Sequence, residues 1–567
     1  LRYILILLIT ASLAFAGTIQ PQLQREMSES FADELIPVFI VVQGELDLDW
    51  IEAATADMTR EESQQFVVEA LKDKAEITQA PVLDQLGSYG QANVANVHPL
   101  WLANSIYCEA TPLVIREMAS RDDVILVEKG TYENSGLIEP VEVRPVSPEE
   151  REKAIVWSVT QINADDVWAM GYNGDGIIVG VIDTGTDYNH MDLHNNMWHD
   201  TPNGYHYGYD FYDDDYDPMD TYGHGTHCSG SVLGDGSEGT ETGVAPGAVC
   251  MALRIDYYSG GEYTWIEAME FGADYGASVL SMSLGSGQGN TTLRTAEENL
   301  LTCGVYHSVA AGNSGSGSGT ILSSGDSPPP WFHPDQVHHG GQSAVVTVGA
   351  TDDNDNIASF SSRGPVTCWA DYTDSSPLID PDISGPGVDV ISTSWGGGYE
   401  SMSGTSMATP HLAGVVALIL DANPSLSVAQ IDEIIETTSL DLGTAGKDNT
   451  FGAGRVDALA AVQEALAVGV AAGEGEAGPA DLLISSVNPN PVSGLASFDV
   501  YTASPGMADI AVFDLSGRRV ATIGGQEMAA GSQSYTWMVP ETIGNGIYFV
   551  KATVNGSTVT SRMAVVR

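Results

Sequence analysis

The stretch GIIVGVIDTG, Gly176–Gly185, is a run of apolar and β-branched residues that stops on an aspartate and a Thr-Gly turn. A strand with one wet face alternates polar and apolar residues. This one does not, so both of its faces are covered. The same pattern recurs in AVCMALRI (Ala248–Ile255), ASVLSMSLG (Ala277–Gly285), GVYHSVAAGN (Gly304–Asn313) and AVVTVGA (Ala344–Ala350). Helical stretches such as TWIEAMEFGADYG (Thr264–Gly276) and TLRTAEENLLTCG (Thr292–Gly304) lie between them. Buried strands separated by helices predict a parallel sheet with helices on both faces, and hence one α/β domain over residues 151–466.

In such sheets the chemistry collects at the carboxyl ends of the strands. Asp183 ends its strand there, where a carboxylate needs a cationic or hydrogen-bonding partner. The D-T-G triplet also occurs in aspartic proteases, but they need a second copy and the chain has none. His224 lies in YGHGTHCSG (Tyr222–Gly230), three residues before His227. Zinc is the rival reading of that pair, but no third strong ligand or H-E-x-x-H pattern accompanies it. Ser406 lies in SMSGTSMATPHLAG (Ser401–Gly414), behind Gly404 and ahead of apolar residues at helical spacing. A helix N-terminus there offers unpaired N–H groups and favours negative charge. A plain N-cap would account for the serine alone. Asp, His and Ser in that order, each at a strand end or helix start, have the roles of a nucleophilic triad.

VIDTGTD (Val181–Asp187), GHGTHCSG (Gly223–Gly230) and GTSMATPHLAG (Gly404–Gly414) together resemble the motifs of the subtilisin-like serine proteases, the subtilases. The resemblance covers roughly residues 155–466. It implies that Ser406 is the nucleophile, His224 the general base and acid, and Asp183 the group that orients the imidazole. Within AAGNSG, Asn313 is the implied oxyanion donor. Ser283, Leu284 and Gly285 are the implied edge for an extended peptide, with Ala310, Ala311 and Gly312 walling the pocket beside it. The chemistry requires no cofactor, while a structural calcium ion is possible, with Asp192 in HMDL matching a ligand of the family. Cys228 beside the histidine, as in proteinase K-like members, implies sensitivity to mercurials.

Three features depart from the common pattern or leave a choice open. The loop GDGSEGTETG (Gly234–Gly243) lacks the usual calcium-site asparagine. The acidic run DFYDDDYDPMD (Asp210–Asp220) has no EF-hand glycine or closing glutamate, and reads as a solvated loop. A long loop, residues 315–341, carries His333, His338 and His339 and reads as a solvated rim of the cleft rather than a metal site.

The flanks suggest further parts. Residues 1–16, with Arg2, an apolar run and Ala14-Phe15-Ala16, read as a signal peptide. No other segment reads as a membrane span. Residues 17–150 show a strand–helix–strand–strand–helix–strand order, a small α+β (ferredoxin-like) unit that the resemblance makes an inhibitory, chaperoning propeptide. GLIEPVEVRPVSPEEREK (Gly136–Lys153), rich in Pro and Glu, reads as an exposed linker. Residues 467–481 read as a Gly/Ala linker. Residues 482–567 have alternating strands and read as a β-sandwich. NPNPVSG, VFDLSGRRV and the basic SRMAVVR make that block similar to type IX secretion sorting tails, with a sugar- or surface-binding module as its rival. Five cysteines in 567 residues make no disulfide scaffold. Cys228 and Cys250 read as buried thiols, and one or two bridges among Cys228, Cys250, Cys303 and Cys368 stay open.

Seventy-six acidic residues against 21 basic ones give a formal charge of −55, which repels phosphate backbones and removes nucleic acid as a partner. The expectation is a secreted or cell-surface monomeric endopeptidase, made as a zymogen. Its partners are polypeptide substrates, its own propeptide and the secretion machinery. The alternatives are a catalytically dead adhesin or scaffold on the same fold, and an esterase or ligase.

Overall fold

A computed structural model describes residues 17–471 and 482–565, less short stretches of which the longest is 485–491. The expected signal peptide, residues 1–16, lies outside the described residues, as does much of the expected linker over 467–481.

The centre is a seven-stranded sheet, parallel throughout. Its order is Gly208–Asp210, Val249–Arg254, Ile178–Asp183, Val279–Met282, Tyr306–Ala310, Val345–Thr351, Ile383–Pro386. The Ile178–Asp183 strand is third in that order, with strand neighbours on both sides and helices above and below. Val179, Val181 and Ile182 are fully or almost fully buried, which explains the absence of alternation in their sequence. Helices Glu262–Asp274 and Thr291–Thr302 form where the periodicity predicts them.

Helix Thr405–Ala422 runs through the main core. It is long and apolar enough to cross a membrane by length and composition, yet 89% of that window is buried inside the protein. The expectation of no further span-length segment is corrected to that extent. The helix is apolar on all sides because the sheet and neighbouring helices surround it.

Residues 18–129 form a separate five-stranded sheet, order Thr18–Ile19, Val124–Lys129, Ile36–Val42, Ser105–Ala110, Val94–Leu100, antiparallel apart from its first pair. The long helix Arg60–Gly87 belongs to this part. Its start is fixed by a capping box in which Thr59 and Glu62 satisfy each other's backbone N–H groups. At the other end of the chain, two antiparallel sheets enclose a core that includes Val500, Ile510, Val512, Val550 and Met563. Helix Ala458–Ala471 continues into the start of the expected linker.

The reading of Gly136–Lys153 as an exposed linker needs correction. Gly136–Leu137 pairs antiparallel with Leu284–Gly285, and Glu142–Pro145 adds a third strand beside Tyr399–Ser403. Val146 is buried in the main core. Pro and Glu content predicts exposure of side chains, and Glu139 and Glu142 are indeed exposed. It does not predict whether the backbone between them finds a sheet edge.

Candidate active site

Asp183 ends its strand with its carboxylate 1% exposed. Its Oδ1 and Oδ2 lie 2.8 and 3.0 Å from His224 Nδ1, and Oδ1 also accepts from Thr184 N at 2.8 Å. His224 opens helix His224–Leu233. The two elements approach so closely that a methyl group on Gly225 would lie 2.1 Å from Gly185 O and 3.1 Å from the Asp183 side chain. This contact requires glycine after the histidine.

The helix start is held by the last residue of the acidic run. Asp220 is fully buried. Its Oδ1 accepts from Thr184 Oγ1, Tyr222 N and Gly223 N, and its Oδ2 from Thr226 N and Oγ1. It therefore ties the end of the Asp183 strand to the turn carrying His224. Asp210 is buried and paired with Arg254, whereas Asp213, Asp214 and Asp215 are exposed. The run is thus only partly the solvated loop expected of it.

Ser406 is fully buried at the second position of helix Thr405–Ala422. Pro410 has no N–H, so the Ser406 carbonyl lacks its ordinary partner four residues on. That carbonyl accepts instead from Ser283 Oγ at 3.0 Å, with Cys228 Sγ at 3.5 Å. An apparent helix-breaker thus frees a backbone oxygen that pins the serine's turn to the neighbouring strand. Gly404 serves a different purpose, since a methyl there would stand 3.1 Å from Asn313 Nδ2. Asn313 Oδ1 accepts from Thr405 N and Thr405 Oγ1, each at 3.0 Å. Those bonds turn its amide nitrogen into the cleft, where it donates to Glu139 O at 2.8 Å.

The predicted peptide edge holds peptide. Leu284 and Gly285 pair with Leu137 and Gly136, and Ile138 N donates to Ser283 O at 3.2 Å. Ala310, Ala311 and Gly312 lie on the same side, with Gly312 N donating to Thr405 Oγ1 at 3.1 Å. One wall residue was not anticipated. Leu322, from the long loop, packs against both Gly285 and Gly312, and its Cδ1 would lie 2.7 and 3.0 Å from methyl groups placed on them. That loop is not a solvated rim throughout, because residues 323–330 are buried. His338 packs edge-on against Tyr372 and His339 against Phe332, while His333 lies 3.4 Å from Asp335.

Electrostatics separate the two histidines of the motif. Burial opposes charge on His224, but the Asp183 carboxylate, with Cys228 beside it, overrides that and holds the imidazole well above the ordinary histidine range. His227, equally buried, is pushed down to about 3 by that burial and by neighbouring His224, and its Nε2–H donates to Val390 O at 3.1 Å. His227 belongs to no cluster of three possible metal ligands among the described residues.

Among the described residues the one group of possible metal ligands is Asp183, His224 and Cys228, within 4.8 Å of one another. Nδ1 of that histidine faces Asp183, so the arrangement orients the ring. Asp192 is buried, with Oδ1 accepting from Glu238 N and Oδ2 from Tyr399 OH at 2.7 Å. Each of these oxygens accepts one such bond and has a second lone pair, so the bonds do not decide between a structural carboxylate and a calcium ligand. All five cysteines are free, four of them buried.

Comparison with known proteins identifies two families along the chain. The model of the "Subtilase family" matches residues 174–454, and that of the "Secretion system C-terminal sorting domain" matches residues 486–566. Subtilisin E of Bacillus subtilis (strain 168) is 33% identical over 319 residues, 55% of this chain and 73% of its own length. Subtilisin DY of Bacillus licheniformis is 34% identical over 313 residues, 55% of this chain and all of its own. Bacillopeptidase F of Bacillus subtilis (strain 168) is 29% identical over 464 residues, 74% of this chain and 30% of its own length. The sorting domain marks an extracellular or cell-surface protein. The chain belongs to the subtilase family and is a subtilisin-like serine protease that carries a secretion sorting domain at its carboxyl end.

Proposed function

We propose that the protein is an endopeptidase made as a zymogen, which cleaves polypeptides through an acyl-enzyme. Ser406 Oγ attacks the carbonyl carbon, and His224 Nε2 takes its proton and returns it to the leaving amine. Asp183 fixes the tautomer by facing Nδ1 and stabilises the imidazolium that forms. Asn313 Nδ2 meets the developing oxyanion. Ser283, Leu284 and Gly285 pair with the substrate backbone as an added strand, and Ala310, Ala311 and Gly312 line the pocket for the residue before the cut. Residues 17–150 are the inhibitory propeptide, 151–466 the catalytic domain and 482–567 the sorting domain.

One observation carries this reading. The His224–Asp183 pair is buried, Cys228 Sγ touches both that imidazole and the Ser406 carbonyl, and the Ser406 hydroxyl, 2.6 Å from Ile138 O, touches the backbone of an extended peptide. A dead scaffold has no use for that convergence.

The test is Ser406→Ala in the secreted chain, measured with casein and with a fluorophosphonate probe. Casein hydrolysis is expected to fall by about 10⁶ and labelling to vanish. Retention of either in the variant overturns the assignment. Failure of the wild type to label would favour the adhesin or scaffold instead.

A further inference from the structure

We propose that helix Leu48–Thr55 and the start of helix Arg60–Gly87 dock the sorting domain onto the rest of the protein, with Phe549 as the anchor, so that the sorting domain is freed when the propeptide leaves. This rests on the reading of residues 17–150 as a propeptide and adds the surface that joins the two flanking parts of the chain.

Phe549 stands on the outer face of its own domain. In strand Gly546–Val554, Val550, Ala552 and Val554 belong to the sorting-domain core, and Ala508, Ile510 and Val512 of the paired strand Gly506–Asp514 join them. Side chains alternate along a strand, so Phe549 and its cross-strand partner Phe513 occupy the opposite face. The outer face of a two-sheet domain ordinarily meets water and carries polar residues. Phe549 is nonetheless only 1% exposed. Its cover lies outside the sorting domain.

That cover is the propeptide. The Phe549 ring lies 5.7 Å from Trp50 at 90° and 5.2 Å from Phe66 at 80°, and the latter two rings are 5.5 Å apart. Edge-to-face contacts at such separations are a favoured geometry of aromatic pairs. Phe66 is buried and Trp50 half-buried. Helix Leu48–Thr55, which carries Trp50, also lies against strand Ser557–Val565. Beside this anchor the outer face turns charged, with Arg519 and Lys551 over the Phe513 ring at 5.9 and 6.0 Å. An aromatic centre flanked by charge has the anatomy of a docking surface.

The same long helix grips the catalytic domain with its other side. Gln64 lies two residues before Phe66, which places it roughly across the helix. Its Nε2 donates to Ala273 O at 3.1 Å and to Ala277 O at 2.9 Å, at the end of helix Glu262–Asp274. One turn earlier, Arg60 donates to Leu426 O at 2.8 Å and to Gly304 O, just past helix Thr291–Thr302. A cation there meets the negative end of the helix dipole. The start of helix Arg60–Gly87 is therefore held by the catalytic domain on one side and by the sorting domain on the other. When it leaves, Phe549 loses its cover and the outer face of the sorting domain is bared.

The test is hydrogen exchange, read by mass spectrometry on the full chain carrying Ser406→Ala so that it cannot cut itself. Phe549→Ala should speed exchange in helix Leu48–Thr55 about tenfold or more, the effect of losing a buried aromatic anchor. Trp50→Ala, which leaves every sorting-domain residue in place, should do the same to strand Gly546–Val554. Met507 is exposed in the same sorting-domain sheet, and Met507→Ala should change helix Leu48–Thr55 less than about twofold. Effects confined to the substituted domain in both anchor variants overturn the docking. In wild type that has shed residues 17–150, strand Gly546–Val554 should exchange as fast as in Trp50→Ala. Protection kept there at the level of the uncut chain overturns the release. Active enzyme that retains residues 17–150 would instead overturn the propeptide reading, and the reciprocal exchange would still decide the docking.

Discussion

His224 and Lys447 are both buried basic groups facing carboxylates, but they are satisfied to different degrees. Lys447 Nζ lies 2.8 Å from Asp382 Oδ1 and 2.7 Å from Glu436 Oε1, with all three side chains 2% exposed or less. Burial works against its charge, yet Asp382, Glu436 and Asp432 hold the ammonium well above the ordinary lysine range. His224 has Asp183 on one nitrogen and nothing on the other. A buried charge surrounded by partners stabilises one structure. A buried imidazole with one open nitrogen is left able to take a proton.

The largest expected effect breaks the His224 side of this contrast. Asp183→Asn should lower kcat/KM on a peptide anilide by about 10⁴, because the imidazole loses its tautomer and its counter-charge. The melting temperature should move by only a few degrees. A loss below about tenfold would remove Asp183 from the mechanism. Next in size is the Lys447 side. Lys447→Met leaves carboxylates buried without their cation and should cost about 3–5 kcal/mol in unfolding free energy. Activity per folded molecule should be unchanged.

A smaller effect concerns the pocket wall that neither charged cluster touches. Leu322→Ala should raise the preference for phenylalanine over isoleucine before the cut by about tenfold in kcat/KM, read with paired anilide substrates. An unchanged ratio would place Leu322 outside the pocket.

The pH response is the mildest test. The base works when neutral, so kcat/KM should rise with pH on a limb centred above about 6.5, the unperturbed histidine value. Asp183→Asn should move that limb down. Because the folded pKa of His224 is raised, its stabilising charge is fully present below the unfolded value and is lost as pH climbs through the folded one. Stability should therefore decline slightly as activity appears. Lys447, raised beyond the working range, contributes equally throughout. A melting temperature that rises over the same limb would contradict the shift assigned to His224.

Much of this was legible in the chain. Unbroken apolar runs ending in polar residues indicate buried parallel strands wherever they occur, so Asp183 and Asn313 could be placed at or just beyond strand ends. A glycine follows His224 and another stands just before Ser406, and the structure shows a close approach at each, at Gly225 and Gly404. Asp220 was hidden, because nothing local distinguishes it from Asp213, Asp214 and Asp215 in the same run. Leu322 was hidden as well, since a leucine among serines and glycines gives no period to read. The strap over 136–146 was hidden, because its Pro and Glu content pointed to solvent.

By itself, then, the sequence determined the elements and the candidates for the reacting groups, because hydrophobic periodicity and turn chemistry act over a few residues. Which aspartate is buried, which leucine walls the pocket and which of two successive carbonyls meets the serine were decided only by tertiary structure. Those outcomes depend on contacts between residues such as Ile138 and Ser406, which lie 268 positions apart. No local pattern records the register in which two such segments meet.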